Sequence, residues 1–460
     1  MRPGLDPDNR LLVPAPIRAD PTVTPDPVVG WGWPPSQPPV YSFPMTSHAS
    51  PTPTSPSEAD PARLPALRRA TVSDLPALAS LWAMAFPGER TVAERVAGLR
   101  DGGPWGGFED CWLTESTLPG SGPRIDGAFR ALPLTLHLFG RPLPTLGVAA
   151  VAVAPHARRQ GLGSRLCRAA LQIGRERGDF LAALYPFRTD FYARLGFALA
   201  GELHRYRFPP EALPLFPGTD RVSVLAEPLA VLPPLHAAFL PSSHGLVARS
   251  PKRWEALVED APMAVGIRAA DGSGDWTGYL LASIRKLSRG RGLEFRVTEF
   301  LAADPDTYRA GLGWISAQRD AWRLVTLDAL PGERLHQVLA HPQLPGSSTT
   351  RSLWFPSATV LRGPMIRILD AGGLLERLGA DAGTRLSLDD PELPENRGTW
   401  QVDAEGSTPI RVSDLPASDA LRVDLASGLL VEGQLPGLRL PRPGFEPPLG
   451  MADFRLLDPF

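Results

Sequence analysis

The sequence predicts an α/β fold divided among several domains. Three observations carry this. The apolar run Val151-Ala152-Val153 passes through a short Arg/Gly loop directly into a helical pattern. A second strand–helix–strand pattern follows between residues 294 and 327. The chain has 460 residues, 43% of them hydrophobic, enough to bury roughly three cores.

In chain order, residues 1–62 are rich in Pro, Ser, Thr and Asp. Such a stretch buries too little apolar surface to offset its ordering entropy and reads as a disordered tail. Met45 inside it is an alternative translation start, which an intact mass of the native protein tests. Order is expected from Leu67. Residues 67–71 read as a strand, and Ser73 or Asp74 can cap a helix through Leu75, Leu78, Leu81 and Trp82. Past the glycine-rich stretch 102–107, strands are expected around 110–115, 124–132 and 134–139, then at Val151.

Leu162, Leu166, Ala169, Ala170 and Ile173 recur on one helical face, and Gly178 is a stop signal. Residues 180–185 fit a buried strand. A second helix carries Phe191, Tyr192 and Leu195 to Gly196, and Phe197 opens a last strand. The later block reads as a strand at 294–301, a helix over 308–322 and a strand at 324–327. The tail opens with residues 365–370, a helix at 372–378 and further strands.

Composition narrows the function classes. Net charge is -2, so no global basic field points to nucleic acid. Lysine occurs only at 252 and 286, a bias that devalues any single arginine as a signal. Cys111 and Cys167 form neither a disulfide framework nor a metal knuckle and suit a reducing, cytoplasmic setting. No run approaches a membrane span, and the start lacks the apolar core of a signal peptide. The histidines at 48, 137, 156, 204, 236, 244, 336 and 341 make no ligand cluster, with His336 and His341 expected at the surface, so no metal is expected. No Gly-x-Ser-x-Gly elbow and no phosphate-binding Walker loop occur.

The chemistry sits in Arg158-Arg159-Gln160-Gly161-Leu162-Gly163. An Arg-x-x-Gly-x-Gly run alone is weak. Here a Val-x-Val strand precedes it, a helix follows without a gap, and Phe191-Tyr192-x-x-Leu195-Gly196-Phe197 comes about thirty residues later. A strand–loop–helix of this kind offers backbone N–H groups and a helix N-terminus to a phosphate-bearing cofactor, and points to coenzyme A.

These motifs resemble the acyl-CoA signature of the GNAT superfamily of N-acetyltransferases. The chain from about residue 65 to 460 resembles its Eis-type branch, through residues 146–163, Phe191–Phe197, Glu299-Phe300, 304–309, 366–370, Asp390-Pro391 and Gly398-Thr399-Trp400. The resemblance implies tandem GNAT-like domains with mixed central sheets and a C-terminal sterol-carrier-protein-like α+β domain. The expected divisions are 63–210 for the cofactor-binding domain, 211–355 for a second domain without the loop, and 356–460 for the third.

It further implies acetyl-CoA as co-substrate, without a metal. Val151, Ala152 and Val153 would meet the pantetheine arm through their backbone. The pyrophosphate would sit on the N–H groups of Arg159, Gln160, Gly161, Leu162, Gly163 and Ser164, with charge from Arg158 and Arg159 and no Cβ at the two glycines. Phe187 and Arg188 would flank the cofactor. Tyr192 matches the tyrosine that returns a proton to the leaving thiolate, and the α-carboxylate of Phe460 matches the branch's general base. Phe86 and Trp82 would line the acceptor pocket, Trp82 more readily as core. The acceptor would be a primary amine of aminoglycoside, polyamine or lysine type, and the assembly a homohexamer or trimer. A non-catalytic acyl-CoA or lipid-binding module, or an oligomeric scaffold, are the competing readings.

Overall fold

The computed structural model describes residues 66–117, 122–290, 292–343, 355–403, 409–414, 416–435, 438, 454–456 and 458. The expected disordered tail at 1–62, the Met45 question and Phe460 lie outside the described residues. The described residues form one compact unit.

The first part contains β1 (Leu67–Arg69), α1 (Leu75–Ala85), α2 (Val92–Arg100), β2 (Cys111–Thr117), β3 (Pro123–Leu138), β4 (Arg141–Val153), α3 (Leu162–Arg177), β5 (Leu181–Leu184), α4 (Thr189–Ala193) and β6 (Ala198–Leu199). The second contains β7 (Leu203–Phe208), β8 (Val222–Val224), α5 (Pro228–Phe239), α6 (Pro251–Asp260), β9 (Met263–Arg268), β10 (Trp276–Lys286), β11 (Leu293–Ala302), α7 (Pro305–Ala317) and β12 (Leu324–Ala329). Then follow β13 (Thr359–Leu361), β14 (Met365–Ile368), α8 (Ala371–Leu378), β15 (Arg385–Asp389), β16 (Gly398–Val402), β17 (Pro409–Ser413), β18 (Leu421–Arg422) and α9 (Val423–Val431).

Among the described residues, two mixed seven-stranded sheets dominate. Their orders are β1-β2-β3-β4-β5-β14-β6 and β13-β7-β12-β11-β10-β9-β8, with a small sheet β17-β16-β15-β18 besides. The strand order corrects the expected divisions. β7 was read into the first domain and instead pairs with β12 and β13 in the second sheet. β14 was read into the third domain and instead pairs with β5 and β6 in the first. All four residues of β14 are buried, so it fills an edge that β5 cannot leave open. Local patterning shows a strand; it does not show which edge receives it.

Two further readings change. The strands expected at 124–132 and 134–139 are one sixteen-residue strand running through Pro133. β2 stops opposite Arg130, so the missing N–H of Pro133 falls where β3 has lost that neighbour. Farther along, β3 bonds the second part instead: the His137 N–H donates to Leu246 O at 2.8 Å and the Ala248 N–H to Thr135 O at 3.0 Å. The helix expected over 308–322 spans Pro305–Ala317. Asp304 caps it by accepting from the Thr307 N–H at 2.7 Å with Pro305 in the first turn, while Trp322 lies beyond it, stacked on Phe295 at 4.0 Å.

Helix α3 follows its pattern. Leu162, Leu166, Ala169 and Ala170 are buried against Phe129, Leu146 and Val148 of the sheet. Gly178 ends it in the left-handed region, φ 86°. On the other side of the sheet, α1 buries Leu75, Leu78 and Trp82 against Leu113, Ala128 and Ala152. The central sheet is thus held between α3 and α1, which fixes the end of β4.

Candidate active site

β4 and β5 run parallel but pair only over Thr145–Gly147 with Leu181–Ala183. Past Gly147, β4 continues for six residues and β5 turns away, so the strands splay. Ala150 sharpens the divergence: it is a non-glycine residue at φ 50°, opposite a register shift between Ala128 and Arg130. The indole N–H of Trp82 donates to Ala150 O at 2.8 Å and holds this bulge. Trp82 is therefore a core residue with a positioning bond. Val151, Ala152 and Val153 present the edge facing away from β3 into the splay; the Val153 carbonyl already accepts from Arg158 Nε at 3.2 Å.

The loop then turns through two left-handed residues, Arg159 (φ 60°) and Gly161 (φ 74°). Gly161 caps α3, and the first bond back into the helix comes from the Arg165 N–H. The N–H groups of Leu162, Gly163 and Ser164 therefore have no backbone acceptor among the described residues. The first turn carries no acidic side chain. An anion from outside fits that N-terminus.

The two glycines answer different needs. Gly161 needs its positive φ, and a Cβ there would meet nothing within 4 Å. At Gly163 a Cβ would touch only Val153 at 3.8 Å and Phe191 at 3.9 Å, ordinary contacts. Protein packing thus gives no reason for glycine at 163.

Those two contacts also join the loop to α4. Phe191 stacks edge-on to Tyr192 at 5.0 Å, and Phe187 lies 5.4 Å from Phe191 and 5.6 Å from Tyr192. Phe187 is 70% exposed beside a Tyr192 that is 4% exposed. Burial, reinforced by the neighbouring Cys167, raises the Tyr192 hydroxyl well above the ordinary phenol range. It stays protonated at neutral pH. Cys167 is itself pushed up to about 12 by burial and stays a thiol.

The sequence-predicted residues thus divide. Val151, Ala152, Val153, Gly161, Leu162, Gly163, Ser164, Phe187 and Tyr192 gather around the splay and the α3 N-terminus. Arg158 folds back on Val153. Gln160 binds His156 O, and Arg159 is exposed. Arg188 is paired with exposed Asp190 rather than free. Phe86, 44% exposed at the end of α1, makes no ring contact with the Phe187–Phe191–Tyr192 group among the described residues.

Sequence reasoning missed a cavity of about 430 Å³. Tyr185, the residue after β5, lines it together with the second sheet and with Phe454, Arg455, Leu456 and Asp458. The Tyr185 hydroxyl donates to Leu456 O at 2.8 Å. One wall is a buried ionic cluster. Arg249 grips Glu299 through Nη1 at 2.9 Å and Nη2 at 2.5 Å, and donates from Nε to Asp458 at 2.9 Å. Arg253 Nε reaches Asp458 at 3.1 Å, and Tyr279 donates to Glu299. Burial alone would raise the Glu299 carboxyl, but Arg249 overcomes it and holds it at about 2. Of this cluster, only Glu299 falls within a run the resemblance singles out. The other members come from positions 249, 253, 279 and 458, a separation that no local pattern reports.

Residues 66–200 match the family model described as an acetyltransferase (GNAT) domain. The chain therefore carries a GNAT acetyltransferase domain, and the splay lies within it. A protein of Streptomyces avermitilis named an uncharacterized N-acetyltransferase is 24% identical over 348 residues, 70% of this chain and 76% of the relative. A GCN5-related N-acetyltransferase from Anabaena variabilis is 18% identical, with a TM-score of 0.64 over 85% of this chain and 99% of that one. Eis1 from Mycobacterium abscessus is 18% identical, with a TM-score of 0.60 over 81% and 89%. The fold is thus mixed α/β, two GNAT-like sheets with a third small sheet. Among the described residues no group of acidic, histidine or cysteine side chains is placed to hold a metal, and no helix is long and apolar enough to cross a membrane.

Proposed function

We propose that the chain is an acetyl-CoA-dependent N-acetyltransferase acting on a primary amine of aminoglycoside, polyamine or lysine type. The observation that carries this is the open edge of β4 leading into the bare N-terminus of α3 within a GNAT domain. The residues fit the co-substrate: N–H groups for a pyrophosphate at 162–164, and a glycine at 163 that packing does not require. Bound acetyl-CoA supplies the thioester.

In this reading the amine attacks the thioester carbonyl directly and Tyr192 gives its proton to the departing thiolate sulfur. A hydroxyl kept protonated by burial supports that role. The α-carboxylate of Phe460 takes the proton of the amine. In support, Arg249 and Arg253 tether Asp458, two residues before it, on the cavity wall. A free α-carboxyl near pKa 3.5 is a weak base unless burial raises it or water relays the proton. The second sheet lacks the Arg/Gly loop and shapes the acceptor pocket. The small sheet with α8 and α9 is assigned to the sterol-carrier-protein-like domain, and the assembly to a cytoplasmic homo-oligomer, hexamer or trimer.

Titration calorimetry with acetyl-CoA, followed by thiol release against a panel of amines, tests the reading. Micromolar binding with release on adding an amine is expected. Absence of acetyl-CoA binding overturns it, and binding without release under every amine leaves only an acyl-CoA or lipid-binding module or a scaffold. Deletion of Phe460 is expected to lower kcat with little change in stability; unchanged turnover removes its carboxylate from the mechanism.

A further inference from the structure

The cavity beside Tyr185 has more positive than negative side chains on its wall: six arginines against five carboxylates. Most of these charges are spent on one another. Glu299 and Asp458 are taken by Arg249 and Arg253, and Glu202 is shared by His204 at 2.7 Å and Arg362 at 3.7 Å. Asp260 is exposed at the end of α6. Arg455 is held by Glu333 at 3.0 Å.

The imbalance is on the face of the second sheet. β7, β12 and β11 lie side by side, and Asp328 stands directly across from Arg205. Arg205 takes both oxygens of Asp328, at 2.6 and 2.7 Å. Arg296, one strand further on, reaches the same carboxylate only at 3.5 Å. Its side chain is 18% exposed. Glu294, on the same face of β11, is engaged by the Thr326 hydroxyl at 2.5 Å. Burial, then the adjacent Arg205, lower the pKa of Arg296, the signature of a cation short of a counterion. Between the charges, the lining is apolar: Leu203, Leu257, Leu281, Leu361, Phe454 and Leu456.

Among primary amines, the geometry points away from the polycationic acceptors named above and to one that carries a carboxylate, seated on Arg296 in this cavity with an apolar body against the leucines, as in an apolar amino acid. A guanidinium with donors to spare matches a carboxylate in a fork, and partial burial strengthens the pair. A polycation meets the opposite situation: beyond the exposed Asp260, its further charges would face arginines and carboxylates already engaged with one another. That this ligand is acetylated rests on the transferase reading above. That the cavity holds it does not.

The two are separable by experiment. N-acetyl-leucine and N-acetyl-leucinamide, which differ only in the carboxylate, are titrated into the full chain without coenzyme A. The acid is expected to bind at least tenfold more tightly than the amide. Arg296→Gln should bring that ratio to about one with an unchanged melting temperature, and Arg296→Lys should restore part of it. Thiol release with leucine and leucinamide then reads the same ratio in kcat/KM. Equal binding of acid and amide overturns the inference, as does parallel loss of both in Arg296→Gln or a spermidine affinity above that of the acid. Acid-selective binding without thiol release keeps the site and removes its ligand as the acetyl acceptor.

Discussion

Replacing Tyr192 with phenylalanine separates chemistry from packing. The Tyr192 ring is held edge-on by Phe191 at 5.0 Å, Phe187 at 5.6 Å and Phe197 at 6.0 Å, and the ring remains in Tyr192→Phe. What leaves is a hydroxyl with no hydrogen-bond partner among the described residues. An intramolecular hydrogen bond contributes about 1 kcal/mol to stability. With none to lose, the substitution should change unfolding free energy by less than ~0.5 kcal/mol in either direction. A general acid contributes about 10²–10⁴-fold to rate, so kcat should fall by that factor. Affinity for acetyl-CoA should stay within about twofold, because the cofactor contacts assigned to the loop and to β4 are backbone groups. Turnover is followed by thiol release, affinity by calorimetry and stability by thermal melting. A kcat within threefold of wild type refutes the proton-donor role. A melting point lowered by several degrees refutes the account of the hydroxyl as unpartnered.

Gly163→Ala should weaken acetyl-CoA binding at least tenfold in calorimetry while the fold holds, since a Cβ there makes only ordinary contacts; Gly161→Ala should instead cost about 1 kcal/mol of stability from its φ of 74°. Asp458→Asn leaves Arg249 and Arg253 short of a buried counter-charge, and a loss of about 3–5 kcal/mol in urea unfolding is expected. Glu299 is held below its unfolded-state pKa of about 4.3, so its contribution is present above that pH and lost as pH falls toward 2; urea midpoints at pH 7, 4 and 2.5 should show the decline, and Glu299→Gln should flatten it. Cys111 and Cys167 are 0% and 2% exposed and pushed up to about 12 by burial, so a thiol reagent should find no protein thiol until denaturant is added.

The splay site was legible because its parts lie close in sequence. The strand, the loop and α3 are consecutive, and Val153, Gly163 and Phe191 meet with fewer than forty residues between the outer two. Periodicity also revealed the apolar face of α3 and the glycine stop at 178. Strand exchange was not legible. β7 and β14 have patterns compatible with either neighbouring sheet, and only the available edges decide between them. The continuous β3 was hidden by Pro133, which reads as a breaker until the loss of a neighbour past Arg130 is known.

By itself, then, the sequence determined the local pieces: a phosphate-ready loop, an amphipathic helix behind it and an aromatic pair ending in Tyr192. These depend on residues within a few turns of one another, where spacing is geometry. Only the tertiary structure decided what surrounds them. Arg249, Glu299 and Asp458 meet across 209 residues of chain, and Arg205, Asp328 and Arg296 across 123. Each charge is tolerable in its place because of a partner that sheet pairing brings to it, and whether a guanidinium is satisfied or left seeking an anion is a property of that meeting alone.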